Sequence, residues 1–495
     1  MTAAPAVPGA ALFTAVDIGA SSGRVIVGGV GGGAAELHVV HRFPNGVVDR
    51  VGALHWDFDA LFAEVLTGLR AAADHAAAVG GVIASIGIDT WAVDYGLVDA
   101  AGELAGPPFS YRDGRGPRAV AGVHERIGPE RLYETTGLQH LPFNTIFQLA
   151  AEQAPGLAGH QALLIPDLIA FKLTGSRRTE STNASTTGLY DAVAGEWATE
   201  FLAALDLPVE LFPPLIEPGE TIGTLLPAVA ARTGLPAATQ VVAVGSHDTA
   251  SAVAAVPARG PKFAYISSGT WSLVGVELDA PVLTEASRTA NFTNERGVDG
   301  TTRYLRNVGG LWLLSESIRA WEQETHDAGS PASAPAALAP PLPGLLAAAA
   351  AEPAGGPLID VDSADFIAPG NMPERIRAAV NATGVTLETR PAAVVRCILD
   401  SLAASYATTV RQAGRLSGKP VDVIHIVGGG SQNELLCQLT ANATGLPVVA
   451  GPVEATALGN VLIQARAAGA APTALPDLRA IVATSHPGTR YVPQS

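Results

Sequence analysis

Two stretches of this chain repeat one design. Leu12–Val16 is an apolar run that ends in Asp17-Ile18-Gly19-Ala20-Ser21-Ser22-Gly23-Arg24 and passes at once into Val25-Ile26-Val27-Gly28-Gly29-Val30. Phe263–Ile266 leads through Ser267-Ser268-Gly269-Thr270-Trp271-Ser272 into Leu273-Val274-Gly275-Val276. Each reads as strand, tight hydroxyl-and-glycine turn, strand. The two lie about 250 residues apart, far beyond a solenoid period, so they imply two related domains. Strand-like Ile83–Ile88 alternates with helix-like Leu61–Ala73, which argues an α/β fold.

Length agrees. A chain of 495 residues exceeds one ordinary core and predicts two or three domains. The breaker-rich Val256-Pro257-Ala258-Arg259-Gly260-Pro261 marks the boundary, giving an N-terminal domain over 11–256 and a C-terminal one over 262–470. Residues 329–356 are rich in alanine and proline without a period, and read as a surface insertion or a loose helical pair. The tail after Thr473 carries no usable motif.

Hydrophobic residues make up 48% and charged residues 15%, the composition of a core-rich globular protein. The net charge of −16 disfavours nucleic acid and anionic membrane surfaces as general partners, but not a small anion met by local amides. Two cysteines, Cys397 and Cys437, give neither a disulfide framework nor a zinc spacing. The start, Met1-Thr2-Ala3-Ala4-Pro5, lacks a basic signal region, and no uninterrupted apolar run reaches membrane-spanning length. A soluble cytoplasmic protein is expected.

Gly245-Ser246-His247-Asp248-Thr249 follows the apolar run Val241–Val244. A carboxylate at a strand end is costly to bury without partners. At the mouth of a cleft it is well placed to take a proton from an alcohol. The structural alternative is a strand-to-helix turn in which Ser246 or Asp248 caps a helix begun by Ala250–Val253.

The hairpin turns supply what such a base would face. Glycines let the backbone approach a ligand, successive amides make an anion-binding nest, and Ser and Thr hydroxyls add donors. Asp17, at its strand end, is placed to hold a hydrated magnesium ion. Two such hairpins, one per domain, could grip a polyphosphate. The strand Val421–Val427 runs into Gly428-Gly429-Gly430-Ser431-Gln432-Asn433 and a helix over Glu434–Ala443, a glycine turn able to pass flat under a purine or ribose.

Other motifs carry less. Gly414-Arg415-Leu416-Ser417-Gly418-Lys419-Pro420 imitates a Walker loop but is one residue short and ends in proline, so it reads as a loop before a strand. The glycines of 28–33 open no helix, which excludes a dinucleotide fingerprint there. His425 lies within an apolar strand and reads as a core histidine. No Gly-x-Ser-x-Gly elbow or His-Glu-x-x-His pair supports a hydrolase.

Taken in order, Asp17–Arg24, Gly87–Gly96 (GIDTWAVDYG), Tyr111-Arg112-Asp113, Gly245–Thr249, Ser267–Ser272 and Gly428–Asn433 resemble the FGGY carbohydrate kinases. That family has two ribonuclease H-like domains of the actin, hexokinase and heat-shock chaperone superfamily, flanking a catalytic cleft. The resemblance runs from about residue 11 to residue 470 and is most specific toward members acting on L-rhamnulose. The segments Ile88–Tyr95, Pro142–Leu149, Leu305-Arg306-Asn307, Gly310–Leu314 and Ala450–Asn460 carry that specificity.

The resemblance implies transfer of the γ-phosphate of ATP, with Mg²⁺, to the 1-hydroxyl of L-rhamnulose in L-rhamnose catabolism. Another ketose or polyol kinase of the family, or a non-kinase ATPase of the superfamily, is the alternative. By position, Asp248 resembles the catalytic base and Asp17 the magnesium partner. Ala20, Ser21, Ser22, Gly23 and Arg24 resemble the first phosphate loop, Thr270 lies in the second, and Gly429 on the nucleotide turn. Ala92, His247, Asp248, Thr249 and Asn307 resemble contacts to the ketose. Two positions depart from the pattern: Ala92 stands where glycine usually follows the tryptophan, and Ser315 where a glutamine is expected.

Overall fold

The computed structural model describes residues 11–152, 157–327 and 341–494. Its chain forms two compact units that are not consecutive in sequence. The first holds residues up to Gly260 together with Glu277–Tyr304 and Glu454–Pro487, and the second holds Pro261–Val276, Leu305–Val453 and the segment from Gly488 onward. Parts of the region read from sequence as C-terminal therefore belong to the first unit.

The first unit is built on β1 (Ala11–Ile18), β2 (Ser22–Gly31), β3 (Ala34–Pro44), α1 (Phe58–Ala78), β4 (Val82–Thr90), β5 (Thr221–Thr224), β6 (Gln240–Val242) and α2 (Asp248–Ala254). Its sheet has the order β5-β6-β4-β1-β2-β3. β1 pairs antiparallel with β2 and parallel with β4, and β4 pairs parallel with β6. Every residue of β1 from Leu12 to Ile18 is buried, as expected of a central strand covered on both faces. α1 starts on Asp57, whose side chain accepts from the Ala60 amide. It buries Leu61, Val65, Leu69, Ala72 and Ala76, a helical period that packs with Val16, Ile18, Val25, Ile86 and Ile88. Each Leu, Val or Ile side chain among them contributes roughly 1.5–3 kcal/mol on burial.

The second unit repeats the plan. β7 (Phe263–Ser268) pairs antiparallel with β8 (Trp271–Leu278), and both expected hairpins are present. With β9 (Thr302–Gly309), α3 (Pro391–Ser417), β10 (Val423–Val427), α4 (Glu434–Thr444) and β11 (Val448–Ala450), the strand order runs β9-β8-β7-β10-β11. β7/β10 and β10/β11 are parallel. This is the order β3-β2-β1-β4-β6 of the first unit over again. After β11 the chain returns to the first unit as α5 (Ala455–Ala467) and ends in β12 (Thr489–Tyr491) beside β11.

One reading of the sequence changes. Residues 414–417 are the last turn of α3, which ends at the left-handed Gly418, so the Walker-like stretch is mostly helix. The insertion read over 329–356 falls partly outside the described residues; Leu342–Ala350 within it is a helix with Leu345 and Ala349 buried. α3 is long and apolar enough by composition to cross a membrane, yet 72% of the qualifying window is buried within the fold.

Candidate active site

In the first unit, three neighbouring strand ends deliver three aspartates. The parallel register of β1 and β4 sets Asp17 opposite Asp89. The next parallel neighbour is the turn after β6: Thr90 donates its amide to the Ser246 carbonyl at 2.9 Å, and Thr90 bridges to His247. Asp248 then opens α2. The carboxyl ends of parallel strands are where open α/β sheets gather ligands.

Neither Ser246 nor Asp248 caps α2. The cap residue is His247, without a side-chain cap hydrogen bond, and Asp248 is the first helical residue. Ser246 is held elsewhere, its amide and hydroxyl both donating to buried Glu180 at 3.0 and 2.7 Å. The Asp248 side chain keeps a third of its surface exposed. The hydroxyl of Thr249 donates to Asp248 Oδ1 at 3.0 Å, and His247 Nε2 lies 3.4 Å from the same oxygen.

Asp17 and Asp89 are buried. Burial pushes the Asp17 carboxyl up to about 6; Arg24 draws it down, while Asp248 and Glu454 push it further up. Asp89 is raised well above the ordinary range by burial and then by Asp17. Its Oδ2 accepts from Asn460 Nδ2 on α5 at 2.6 Å, whereas Oδ1 is buried without a hydrogen-bond partner. Arg24 stands opposite Asp17 in the β1/β2 register, and its guanidinium lies 2.9 Å from both Asp17 and Glu454. In the turn itself Ala20 is half-buried, and Ser21 and Ser22 are exposed. Asn45 braces it, with Nδ2 donating to the Gly19 carbonyl and its amide to the Ser21 carbonyl. A Cβ on Gly23 would come within 2.2 Å of the Phe43 ring, which would have to shift to admit it.

The tryptophan segment is strained. Val93 has φ of 69°, a left-handed conformation that β-branched residues avoid. Its carbonyl is pinned by the Thr145 hydroxyl at 2.7 Å. Ala92 is half-buried and is not among the residues of positive φ, so its backbone tolerates alanine in place of glycine. Asp94 takes four N–H donors: Trp56 Nε1 at 2.6 Å, Trp91 Nε1 at 2.9 Å, Gln148 Nε2 at 2.9 Å and the Tyr111 amide at 3.1 Å. The two indoles lie 4.2 Å apart.

The second unit gathers Thr270 and Gly429 around Ser268. The turn is tied to the start of the helix after β9 (Trp312–Asp327), where the Leu311 and Trp312 amides donate to the Gly269 and Thr270 carbonyls. Gly428 and Gly430 are glycines because the chain passes close to Ser268: a Cβ on Gly430 would sit 2.0 Å from its hydroxyl oxygen, and one on Gly428 3.0 Å from its carbonyl. Gly429 is exposed and faces open space. Asn307 lies half-buried on β9, two residues before Gly309, whose amide donates to Asp362. Ser315 is exposed. His425 is buried in β10 with its ring edge-on to Phe263.

The chain matches the N-terminal domain model of the FGGY family of carbohydrate kinases over residues 12–255 and the C-terminal domain model over 264–468. The chain belongs to the FGGY family of carbohydrate kinases. Among the relatives of this FGGY chain is a rhamnulokinase of Bacteroides thetaiotaomicron, 42% identical and covering 97% of this chain and 96% of its own. A rhamnulokinase of Enterococcus faecalis is 40% identical over 97% of this chain and 94% of its own. The fold of the FGGY chain is also that of a gluconate kinase and a ligand-bound xylulose kinase from Lactobacillus acidophilus. Both have a TM-score of 0.78 at 17% and 18% identity, covering 98% of this chain and 94% of theirs.

Sequence reasoning about this FGGY chain passed over Asp89, Asp94, Glu180, Glu295, Arg303, Glu454 and Asn460. Asp89, Asp94, Glu454 and Asn460 lie inside motifs already singled out. Glu180, Glu295 and Arg303 have no local signal, because the Ser246 and His247 groups they meet are 48 to 66 positions away.

Proposed function

We propose that the chain transfers the γ-phosphate of ATP to the 1-hydroxyl of L-rhamnulose, with Asp248 as the general base. The observation carrying this reading is the Asp248 carboxylate, a third of it exposed, with Thr249 and His247 both against Oδ1 and buried Asp89 and Asp17 at the ends of the next two strands of the sheet. The choice of sugar rests on similarity to rhamnulokinases along nearly the whole chain. The sugar hydroxyl gives its proton to Asp248 as its oxygen attacks the γ-phosphorus in line. Positioning supplies much of the rate, and a base typically adds about 10²–10⁴-fold.

In this reading the amides of Ala20–Gly23 and the hydroxyls of Ser21 and Ser22 hold the phosphates, with Arg24 keeping Asp17 in place. The Thr270 hairpin is the second phosphate grip, and Gly429 leaves room for the nucleotide. Ala92, His247, Thr249 and Asn307 contact the ketose. The N-terminal region (11–256) supplies sugar and base, and the C-terminal region (262–470) the nucleotide site.

A divalent cation fits the oxygen donors here: Asp89 Oδ1 is buried and unpartnered, and Asp17 is buried beside it. Among the described residues no three His, Cys, Asp or Glu side chains are arranged to hold a metal on their own. This suits Mg²⁺, which keeps most of its water and phosphate ligands and takes one or two carboxylates. Asp17 would hold the ion, which when bound neutralises charge on the phosphate oxygens. A cytoplasmic location accords with this chemistry.

The test is ADP release measured with L-rhamnulose, L-fuculose, L-ribulose, D-xylulose and glycerol. The highest kcat/KM is expected with L-rhamnulose. A preference for another sugar would move the reading to a sister kinase, and ADP release equally fast without sugar would overturn it.

A further inference from the structure

Behind the base lies a fully buried ion pair that the chemistry above does not use. Arg303 has no exposed surface, and its Nη1 is 3.0 Å from Glu295 Oε2, itself nearly buried. Burying both charges is costly, and well-packed apolar residues of similar size often do as well or better for stability. Burial pushes the Glu295 carboxyl up, but Arg303 and His247 more than offset it, so it stays below the ordinary carboxylate range and ionised. Arg303 is anchored further by Nε donating to the Arg296 carbonyl at 3.1 Å.

The pair converges on one atom. Arg303 Nη2 lies 3.2 Å from His247 Nδ1 in hydrogen-bonding geometry, and Glu295 Oε2 lies at the same 3.2 Å. A guanidinium can only donate, so Nδ1 facing it must be the unprotonated nitrogen. Glu295 Oε2 lies within ion-pair distance of both Arg303 Nη1 and His247 Nδ1 but is aligned for a hydrogen bond with neither, whereas Arg303 Nη2 is aligned on Nδ1, so Glu295 acts through its charge, holding the guanidinium against the ring. The ring hydrogen then sits on Nε2, which faces Asp248 Oδ1 at 3.4 Å.

We infer that Arg303, held by Glu295, fixes His247 in the Nε2–H tautomer, and that this ring together with Thr249 occupies Asp248 Oδ1 and turns Oδ2 toward the sugar hydroxyl. Arg303 and Glu295 are positioning residues: neither touches substrate, and both act through His247. The wrong tautomer would place a lone pair against the base carboxylate and turn Oδ1 away. The inference takes Asp248 as the base and so rests on the reading above.

Two measurements test it. Nitrogen-15 spectra of histidine-labelled protein at pH 8, with the His247 signal identified by its loss in His247→Gln, are expected to show the Nε2–H tautomer. An Nδ1–H tautomer overturns the inference, and because this arm uses no sugar, that failure leaves the kinase reading standing. The second arm is kinetic. Removing Arg303 alone leaves Glu295 unpaired, so the charge-neutral pair Glu295→Gln with Arg303→Met is used. It is expected to lower kcat/KM for L-rhamnulose about 10–100-fold with the KM for ATP unchanged. Added to His247→Gln, the same pair should cost nothing further, the non-additivity expected of residues acting through one group. A full additional loss on that background, or equal damage to the ATP KM, would mark a merely structural pair. Absence of sugar phosphorylation by the unmutated chain would sink the kinase reading, whatever the tautomer.

Discussion

Glu180 and Ser246 are joined twice: one carboxylate oxygen of Glu180 accepts both the amide and the hydroxyl of Ser246, at 3.0 and 2.7 Å. The same oxygen accepts from the Thr182 hydroxyl and the Asn183 amide, while the other accepts from the Thr182 amide at 2.8 Å. Glu180 thus clamps the turn carrying Asp248, two residues beyond Ser246.

Glu180→Gln tests that clamp. An amide keeps one oxygen but sets an N–H₂ against a donor, so a buried group goes unsatisfied at about 1–3 kcal/mol. A lower melting temperature and a kcat reduced about tenfold or more are expected, since small misplacements of a reacting group are costly. Unchanged kcat in a folded variant would show that the turn holds itself.

The glycine turn after β10 separates packing from binding. Gly430→Ala forces a Cβ to 2.0 Å from the Ser268 hydroxyl and is expected to cost about 1–3 kcal/mol in thermal unfolding. Gly429→Ala meets nothing within 4 Å, so the melting temperature should hold while the KM for ATP rises. A Gly429→Ala variant with an unaltered ATP KM would remove that residue from the nucleotide site.

Gly459 on α5 touches the backbone of α2, where a Cβ would lie 1.8 Å from the Ser251 carbonyl oxygen. Backbone cannot step aside as a side chain can. Gly459→Ala should therefore destabilise by about 3 kcal/mol or more, readable by chemical denaturation.

Asp94 provides a pH signature. Burial pushes its carboxyl up to about 6 from an ordinary 3.8, against the pull of Gln148, Trp56, Trp91 and the Tyr111 amide. The native state then binds more protons than the unfolded chain between about pH 4 and 6, so the stability Asp94 contributes falls as pH rises through that window, by up to about 3 kcal/mol. Relative to Asp94→Asn, the unmutated protein should lose stability over that range. The emission of Trp56 and Trp91, whose indoles both donate to Asp94, should titrate near pH 6 and stop doing so in the variant.

Both hairpins, β10 with its turn and α1 could be read from the sequence because their signals are local: alternation, glycine and a helical stripe. The position of Asp248 was also legible, but not its partners. Asp89 gains its meaning from a parallel register with Asp17, set 72 positions away along the chain. The return of α5 to the first unit, where Asn460 reaches Asp89, is a tertiary event without a local trace. Residues 414–417 misled because α3 keeps its helical hydrogen bonding to the glycine at 418, past the point where the composition reads as a loop. The alternative in which Ser246 or Asp248 caps α2 fails because the helix begins at Asp248 itself, with His247 at the cap position and Ser246 turned to Glu180, a partner 66 positions away.

The central claim is that Asp248 deprotonates the sugar. The most direct measurement is ATP-dependent phosphorylation of L-rhamnulose by Asp248→Asn beside the unmutated protein, with nucleotide affinity measured on both. A fall in kcat of about 10²–10⁴-fold with ATP binding largely intact is the expected result. Near-normal turnover by a correctly folded Asp248→Asn protein would contradict it.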